Sequence, residues 1–284
     1  MIKLNDVSYT YMSGGPFETA AVENISVTLN SGEFIGLMGH TGSGKSTLIQ
    51  MIAGLIKPTS GTIEIHGQTL HSKGSDKRKI RFKTGLVMQY PEYQLFEETV
   101  FRDIAFGPTN MGLPKEEIKR RVESAAAMVG LKPEILEKSP FELSGGQKRR
   151  VAIAGVLAME PELLILDEPT AGLDPLGRDE ILFKIKDMHK RLGITVILVS
   201  HSMEDLAKLT DKIMVMDHGH LAMYDNTSEI FKRSDELKKM GLSVPQITEI
   251  CGQLRQKGLP IPEGIYTIEV AKREIENILK SEKR

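Results

Sequence analysis

The chain has 284 residues, of which 40% are hydrophobic and 26% charged, as in an ordinary globular protein with one large domain or one domain and an appendage. Its 37 lysines and arginines balance 38 aspartates and glutamates, which argues against nucleic acid as the main partner because such binding depends on neutralising phosphates. The basic run at 72–79 (SKGSDKRK) could contact phosphates, but a solvated loop is the preferred interpretation.

The cysteine content and the apolar runs indicate where the chain works. The single cysteine, Cys251, excludes an internal disulfide, fits a reducing compartment and has the neighbours of a buried small apolar residue. The sequence MIKLNDVSYTY contains no apolar signal region, and the runs LLIL and TVILV are far shorter than the ~18 residues of a membrane span. We therefore expect a cytosolic chain that could work at a membrane only from its surface.

The first predicted elements are strands in which apolar and polar residues alternate. Residues 2–11, 20–30 and 61–67 have this pattern, which is typical of antiparallel strands with one buried face. A turn-rich insertion, SGGPFE (13–18), separates the first two.

Short apolar runs follow, of the kind that forms central parallel strands, and helical sequences separate them. These runs are FIGLMG (34–39), GLVMQ (85–89), LLILDE (163–168), TVILVSH (195–201) and KIMVMD (212–217).

Helical sequences account for most of the remaining chain. Residues 92–160 contain helices such as PKEEIKRRVESAAAMVG with no strand among them, and the chain after 226 is helical and charged. The sequence therefore predicts an α/β domain over residues 1–225, with an antiparallel β subdomain, a helical subdomain inserted at about 92–160, and a C-terminal helical extension over 226–284. The helix at 174–193 has the clearest ends, with Asp174 as N-cap and Gly193 as a stop.

A phosphate loop is the first motif that carries chemistry. Residues 39–46 (GHTGSGKS) fit G-x-x-x-x-G-K-[ST] between a predicted strand and a predicted helix, which disfavours a chance match by a glycine-rich turn. Backbone N–H groups and the helix N-terminus would face the phosphates, Lys45 can reach the β- and γ-phosphates, and Ser46 can ligate Mg²⁺. The predicted nucleotide-binding residues here are Gly39, His40, Thr41, Gly42, Ser43, Gly44, Lys45, Ser46 and Thr47.

Polar residues at the ends of three predicted parallel strands complete this site. Asp167 would hold Mg²⁺ through water, and Glu168 would polarise the attacking water, a role worth about 10²–10⁴ in rate. His201 could hydrogen-bond the γ-phosphate and that water, and Gln89 could be a ligand of Mg²⁺ and water. The alternative for each residue alone is a structural cap or a structural histidine. By contrast, His218 and His220 in DHGHL resemble a hairpin turn, and no spacing of ligand residues indicates a structural metal site.

Residues 143–147 (LSGGQ) look like a second phosphate cradle, placed just before an amphipathic helix, although nothing suggests a second nucleotide. Together with the phosphate loop, LLILDEP, AGLDP (171–175) and VSH, this motif gives the chain a specific resemblance to the nucleotide-binding subunits of ABC transporters over residues 1–225. The resemblance implies a P-loop NTPase fold and an ATPase that uses ATP and Mg²⁺.

The resemblance also implies a use for the second cradle. In this family two such domains close head to tail, so that LSGGQ of one caps the ATP on the phosphate loop of the other. Ser144, Gly145, Gly146 and Gln147 would then contact the partner's nucleotide, and Asp174 would couple the two sites across the interface. For the adenine, the strand sequence VSYTY offers Tyr9 and Tyr11. The family pattern points to Tyr11, and the alternative is a tyrosine packed within its sheet.

Residues 90–112 are similar to the matching stretch of the ATPases of energy-coupling factor (ECF) transporters, the vitamin and nickel/cobalt importers. The insertion at 13–18 and the VPQ sequence at 244–246 resemble those of the second ATPase type in these systems. This resemblance implies a heterodimer with a second ATPase on the cytoplasmic face of the cell membrane. It also implies a transmembrane coupling protein docking near Tyr90–Phe96, and interchangeable substrate-binding membrane proteins beyond it.

Three alternatives remain open at this point. The chain could serve a conventional ABC importer, or be a soluble ABC ATPase that acts on nucleic acid or ribosomes. The aromatic residues of PEYQLF could be core packing instead of a docking surface. The C-terminal extension, with Ile247, Ile250, Leu254 and Leu259 on its apolar faces, could add dimer contacts or pack against its own core.

Overall fold

The computed structural model describes residues 1–72 and 77–281. The basic run at 72–79 is therefore described only at its two ends, because residues 73–76 lie outside the described residues. Residues 77–79 begin a short helix, so the loop interpretation is wrong for the end of the run.

Ten strands in the described residues form two sheets. They are β1 (Ile2–Tyr11), β2 (Thr19–Leu29), β3 (Phe34–Met38), β4 (Ser60–Ile65), β5 (Gln68–Thr69), β6 (Thr84–Val87), β7 (Leu163–Asp167), β8 (Thr195–Val199), β9 (Lys212–Asp217) and β10 (His220–Asn226).

The α-helices of the same residues cover both faces of the larger sheet and form the C-terminal part. They are α1 (Lys45–Ile52), α2 (Lys77–Phe82), α3 (Val100–Asn110), α4 (Lys115–Met128), α5 (Gly145–Leu157), α6 (Pro175–Leu192), α7 (Met203–Leu209), α8 (Thr227–Lys232), α9 (Ser234–Lys239), α10 (Gln246–Gln256) and α11 (Ile268–Ser281).

The smaller sheet is antiparallel, in the order β2-β1-β4-β5, which confirms the prediction from alternating residues. Ile2 and Leu4 of β1 are buried as the alternation requires, but the next buried residue is Val7. The register shifts between Leu4 and Val7, where Asp6 has a φ of 48°. A bulge therefore moves the buried face by one residue and bends the strand.

The larger sheet has the order β10-β9-β3-β8-β7-β6, and its strands are parallel except for β10 at one edge. Both faces are buried: Phe34 and Met38 of β3 belong to one apolar cluster, and Ile35 and Leu37 to the other. This burial explains why the parallel strands are continuous apolar runs. Because these strands are parallel, one edge of the sheet carries the carboxyl ends of β3, β6, β7, β8 and β9.

Between β6 and β7 the described chain is helical, with α3, α4 and α5 and no strand. Helix α6 has the predicted ends, because the Asp174 carboxylate accepts from the Gly177 N–H at 2.8 Å and Gly193 ends the helix with a φ of 61°. The predicted turn of the β9–β10 hairpin is confirmed at His218 and Gly219, whereas His220, predicted in the same turn, is the first residue of β10.

The C-terminal helices pack partly on the α/β domain. Leu237 and Leu242 belong to the main apolar cluster, whereas Cys251 lies in a small separate cluster, buried as expected. Ile247, Leu254 and Leu259 pack against this small cluster, as one of the two alternatives predicts, whereas Ile250 is exposed. The boundary at 225/226 falls at the last residue of β10 and stays a prediction. Within residues 1–72 and 77–281, the structure has no helix with the length and apolar character of a transmembrane span.

Candidate nucleotide-binding site

The phosphate loop connects β3 to α1, as its sequence predicts. Gly44, the residue before α1, has a φ of 96°, and a Cβ added there would lie 2.3 Å from the Ala21 carbonyl oxygen. Only glycine fits this conformation and this space. A glycine also has no side chain to cap the helix, so the N–H groups of the first turn of α1 remain available to an anion.

Lys45 is buried beneath this loop, and its ammonium donates to the carbonyl oxygens of Gly39 at 2.7 Å and His40 at 2.9 Å. Burial lowers the pKa of Lys45, and the nearby carboxylates of Glu168 and Asp167 oppose that effect. The side chain is therefore a desolvated cation with three hydrogens to donate. A phosphate oxygen is the acceptor that such a group favours.

The remaining loop residues differ in what they present. Thr41, Gly42 and Ser46 are exposed, whereas the side chains of Ser43 and Thr47 are buried. The Ser43 N–H donates to the His40 carbonyl at 3.2 Å within the loop. Ser46 is the second residue of α1, and its exposed hydroxyl lies where a phosphate-bound Mg²⁺ could reach it.

Asp167 and Glu168 lie at the carboxyl end of β7. Glu168 has a φ of 51°, a left-handed conformation that costs a non-glycine residue about 1–3 kcal/mol, and its N–H donates to the Val199 carbonyl at 3.1 Å. Burial raises the pKa of both carboxyls. Lys45 and His201 oppose that rise in pKa for Asp167, and His201 and Lys45 oppose it for Glu168. The His201 Nε2 lies 3.0 Å from Glu168 Oε1.

Gln89 and His201 reach this edge in a different way from that predicted. The sequence places them within the ends of their strands, but β6 ends at Val87 and β8 at Val199. The last paired residue of β6 is Val87, opposite Leu166, and the last of β8 is Val199, opposite Asp167. Both side chains therefore stand on exposed loop backbone beyond the sheet.

The three predicted Mg²⁺ ligands, Ser46, Gln89 and Asp167, offer a hydroxyl, an amide and a carboxylate. Such an oxygen-only donor set fits a hard cation that keeps much of its water shell. Asp167 is also a largely buried carboxylate whose pKa burial raises, and a divalent cation would stabilise its charged form. The residues present therefore fit the ion.

Tyr11, the last residue of β1, is the tyrosine that is available to a ligand. It is exposed, while Tyr9 packs against the apolar cluster of the smaller sheet. The Tyr11 hydroxyl lies 3.1 Å from Thr47 Oγ1, and its ring meets that of Tyr9 edge to face at 4.8 Å between centroids. These contacts hold the ring above the helix that follows the phosphate loop.

The LSGGQ segment forms a complete helix start. Ser144 is the N-cap of α5, its hydroxyl accepts from the Gln147 N–H at 3.3 Å, and the Gln147 side chain accepts from the Ser144 N–H at 3.0 Å. The glycines form the first turn of the helix and do not precede it as predicted. A Cβ added at Gly145 or Gly146 would meet no described heavy atom within 4 Å, so packing in this chain does not explain them.

Arg149 and Glu92 are two residues that sequence reasoning missed. The Arg149 side chain is only 2% exposed, and it forms two hydrogen bonds with the Glu92 carboxylate, at 3.0 and 2.7 Å. It also donates to the carbonyls of Pro169 at 3.2 Å and Ala171 at 2.7 Å. Arg149 thus joins the LSGGQ helix to the segment after Gln89 and to the segment after Glu168. The one signal was its spacing, four residues before Ile153 and eight before Leu157 on the buried face of α5, and the charged neighbours Lys148 and Arg150 obscure it.

Comparison with known proteins identifies the family. The family described as ABC transporter matches residues 22–171. The energy-coupling factor transporter ATP-binding protein EcfA2 of Clostridium acetobutylicum is 57% identical over 284 residues, covering 100% of this chain and 99% of the relative. The protein of the same name from Caldanaerobacter subterraneus subsp. tengcongensis is 54% identical over 282 residues, covering 99% of each.

Solved structures agree with the sequence relatives. The structure of cbiO1 from Clostridium perfringens, part of an ABC transporter complex, has a TM-score of 0.75 and 38% identity and covers 90% of this chain and 98% of its own. A dimeric, post-hydrolysis structure of the ATP-binding cassette MJ0796 with ADP and phosphate has a TM-score of 0.71 and 30% identity, with coverages of 80% and 99%. The P-loop NTPase fold is therefore confirmed. The chain belongs to the ABC transporter family and, within it, to the ATP-binding proteins of energy-coupling factor transporters.

Proposed function

We propose that this ABC ATPase powers an ECF-type importer of vitamins or related micronutrients from the cytoplasmic face of the cell membrane. ATP lies between this chain and a second ATPase subunit, so that binding closes the pair and hydrolysis opens it. Support comes from the full-length similarity to ECF ATP-binding proteins and from the dimeric solved neighbour with ADP and phosphate.

One observation carries the two-subunit site: the capped, exposed start of α5. Ser144 and Gly145 are exposed, and the glycines have open space where side chains would be. The chain's own phosphate loop already has Lys45, the N-terminus of α1 and the acids at the end of β7. A second anion-binding helix start with no use in its own chain is best explained as half of the partner's site.

The chemistry that this chain supplies follows from its own residues. Lys45 and the first turn of α1 bind the phosphates, and the Tyr11 ring stacks on the adenine. Glu168 takes the proton of the attacking water, while His201, 3.0 Å away, holds that carboxylate in place. Mg²⁺, which Ser46 and Gln89 would ligate and Asp167 would hold through water, would neutralise charge on the phosphates. A ligand shifts an equilibrium only by the difference in its affinity for the two states. The γ-phosphate supplies that difference between the open and the closed pair, so ATP closes the pair.

The docking surface for the membrane coupling protein is an exposed aromatic patch after Gln89, defined by Tyr90, Tyr93, Phe96 and Phe106. Phe96 and Phe106 meet edge to face at 5.1 Å between centroids, and Tyr93 is 83% exposed. Buried Asp103 accepts from the backbone N–H groups of Phe96 at 3.2 Å and of the next residue at 3.3 Å, which fixes the segment. A fixed cluster of exposed aromatic side chains is typical of a surface that a partner covers.

Co-purification tests this proposal. The tagged chain is extracted from native membranes in mild detergent, and the proteins that remain bound are identified. We expect a second ATPase, one multi-spanning coupling protein and several small membrane proteins. A dedicated pair of permeases would instead assign the chain to a conventional importer, and recovery with ribosomes or nucleic acid would refute a transport role.

A pair of variants tests the docking surface in the same experiment. Tyr93→Asp places a charge in the aromatic patch, and we expect loss of the membrane proteins with retention of the second ATPase. Phe183→Asp is the matched control, since Phe183 is an aromatic residue that is 68% exposed on α6 and does not belong to the patch. Equal retention of the coupling protein by both variants would exclude the patch as its docking site.

A further inference from the structure

The carboxyl end of β9 brings two residues against the phosphate loop that the proposed function does not use. His40 Nε2 lies 3.2 Å from Asp217 Oδ1, and His218 Nδ1 lies 2.7 Å from the same oxygen. The two imidazole rings are 4.6 Å apart between centroids. Each of the three residues offers one ligand atom, and these atoms all lie within 4.8 Å of one another.

The hydrogen bonds of His40 leave room for a cation. Its Nδ1 lies 2.8 Å from the carbonyl oxygen of Thr41, which can only accept, so Nδ1 carries a hydrogen. In the neutral ring Nε2 then has a lone pair, and this lone pair faces the Asp217 carboxylate. Either a second proton or a metal ion must separate the two. A ring that donates one N–H to a backbone carbonyl and presents the other nitrogen is the usual arrangement of a metal-bound histidine.

We propose that His40, Asp217 and His218 form a binding site for Zn²⁺. Two imidazole nitrogens and one carboxylate oxygen suit a borderline divalent ion and suit Mg²⁺ poorly. Ligand atoms around a tetrahedral Zn²⁺ are about 3.3 Å apart, since each lies about 2.0–2.2 Å from the metal. The His218 side chain is 80% exposed and can turn to close the remaining gap, whereas His40 and Asp217 are about 30% and 29% exposed and already in contact.

The site has a consequence for the loop beside it. His40 is the second residue of the phosphate loop, and the Ser43 carbonyl of that loop already accepts from the Gly219 N–H at 3.2 Å. A bound ion would add a second link between the loop and the β9–β10 turn. Nucleotide and metal would then affect each other's affinity by the same factor, as linkage requires.

Calorimetric titration of the purified full-length chain with Zn²⁺, without nucleotide, tests the site. We expect one equivalent to bind at the cluster, and His218→Gln to weaken this binding at least tenfold. His220→Gln is the matched control, because His220 is an exposed histidine at the start of β10 that is not among the three ligands. It should bind Zn²⁺ as the wild type does.

Asp217→Asn provides a second variant with the same prediction, and circular dichroism shows whether each variant is folded. Wild-type chain that binds no Zn²⁺ would overturn the proposal and leave a proton between His40 and Asp217. Undiminished binding in folded His218→Gln and Asp217→Asn would overturn it as well. Loss in those two variants with retention in His220→Gln would support it.

Discussion

Replacing Arg149 by methionine should destabilise the protein far more than any nearby surface charge change. The substitution keeps the volume of the side chain but leaves the Glu92 carboxylate without its two hydrogen bonds, and it removes the donor of the Pro169 and Ala171 carbonyls. Breaking a buried ion pair by removing one partner costs about 3–5 kcal/mol. Because Glu92 keeps 16% of its side chain exposed, we expect the lower end, about 3 kcal/mol.

Thermal unfolding of the purified chain, followed by circular dichroism, measures this loss. At about 2–4 °C per kcal/mol for a chain of this size, the Tm should fall by about 6–12 °C. The control is Arg150→Met. Its ion pair with Glu180 at 2.8 Å is 52% exposed on the Glu180 side and 21% on the Arg150 side, so water reaches the carboxylate that is left behind and the loss should be about 1 kcal/mol.

A second substitution isolates the cause. If the unpaired carboxylate is what destabilises the variant, adding Glu92→Met to Arg149→Met should raise the Tm again, since it removes the buried charge. The reasoning is refuted if Arg149→Met loses no more stability than Arg150→Met. It is also refuted if the double variant is less stable than Arg149→Met alone.

Three further predictions concern the nucleotide site. Glu168→Gln should bind ATP normally but release phosphate at least about 10²-fold more slowly in the assembled complex, because an amide takes no proton; wild-type turnover would contradict the role of base. Tyr11→Ala should weaken ATP binding about 5- to 150-fold in equilibrium titration through loss of stacking, with Tyr11→Phe close to wild type. Asp174→Ala should lower the Tm by about 2–4 °C because an N-cap is worth about 1 kcal/mol, whereas Asp174→Asn should retain the cap and the Tm.

Features with local causes could be predicted from the sequence. The ends of α6 follow from Asp174 and Gly193, whose capping preferences depend only on neighbouring backbone. The two kinds of strand follow from burial on one face or on both. The bulge at Asp6 could not be predicted, because a register shift depends on pairing with two other strands.

Contacts between distant segments account for the rest. Arg149 lies in the run KRR, which reads as a solvent-exposed charge cluster, and its partner Glu92 is 57 residues away. His40 and Asp217 are 177 residues apart and meet only because β3 and β9 are neighbours in the sheet. The absence of a metal-ligand spacing in the sequence therefore carried no information about residues that two strand ends bring together.

The reciprocal hydrogen bonds between Ser144 and Gln147 at the start of α5 determine which of their groups remain for a ligand. A serine hydroxyl and a glutamine amide can each donate or accept. Here the Ser144 oxygen accepts from the Gln147 N–H and the Gln147 oxygen accepts from the Ser144 N–H. Each side chain keeps its own hydrogens, the Ser144 O–H and the Gln147 NH₂, for another acceptor, while its oxygen is already in use. The start of α5 therefore presents mainly hydrogen-bond donors. Such a surface favours a ligand that can only accept hydrogen bonds, as a fully ionised phosphate does.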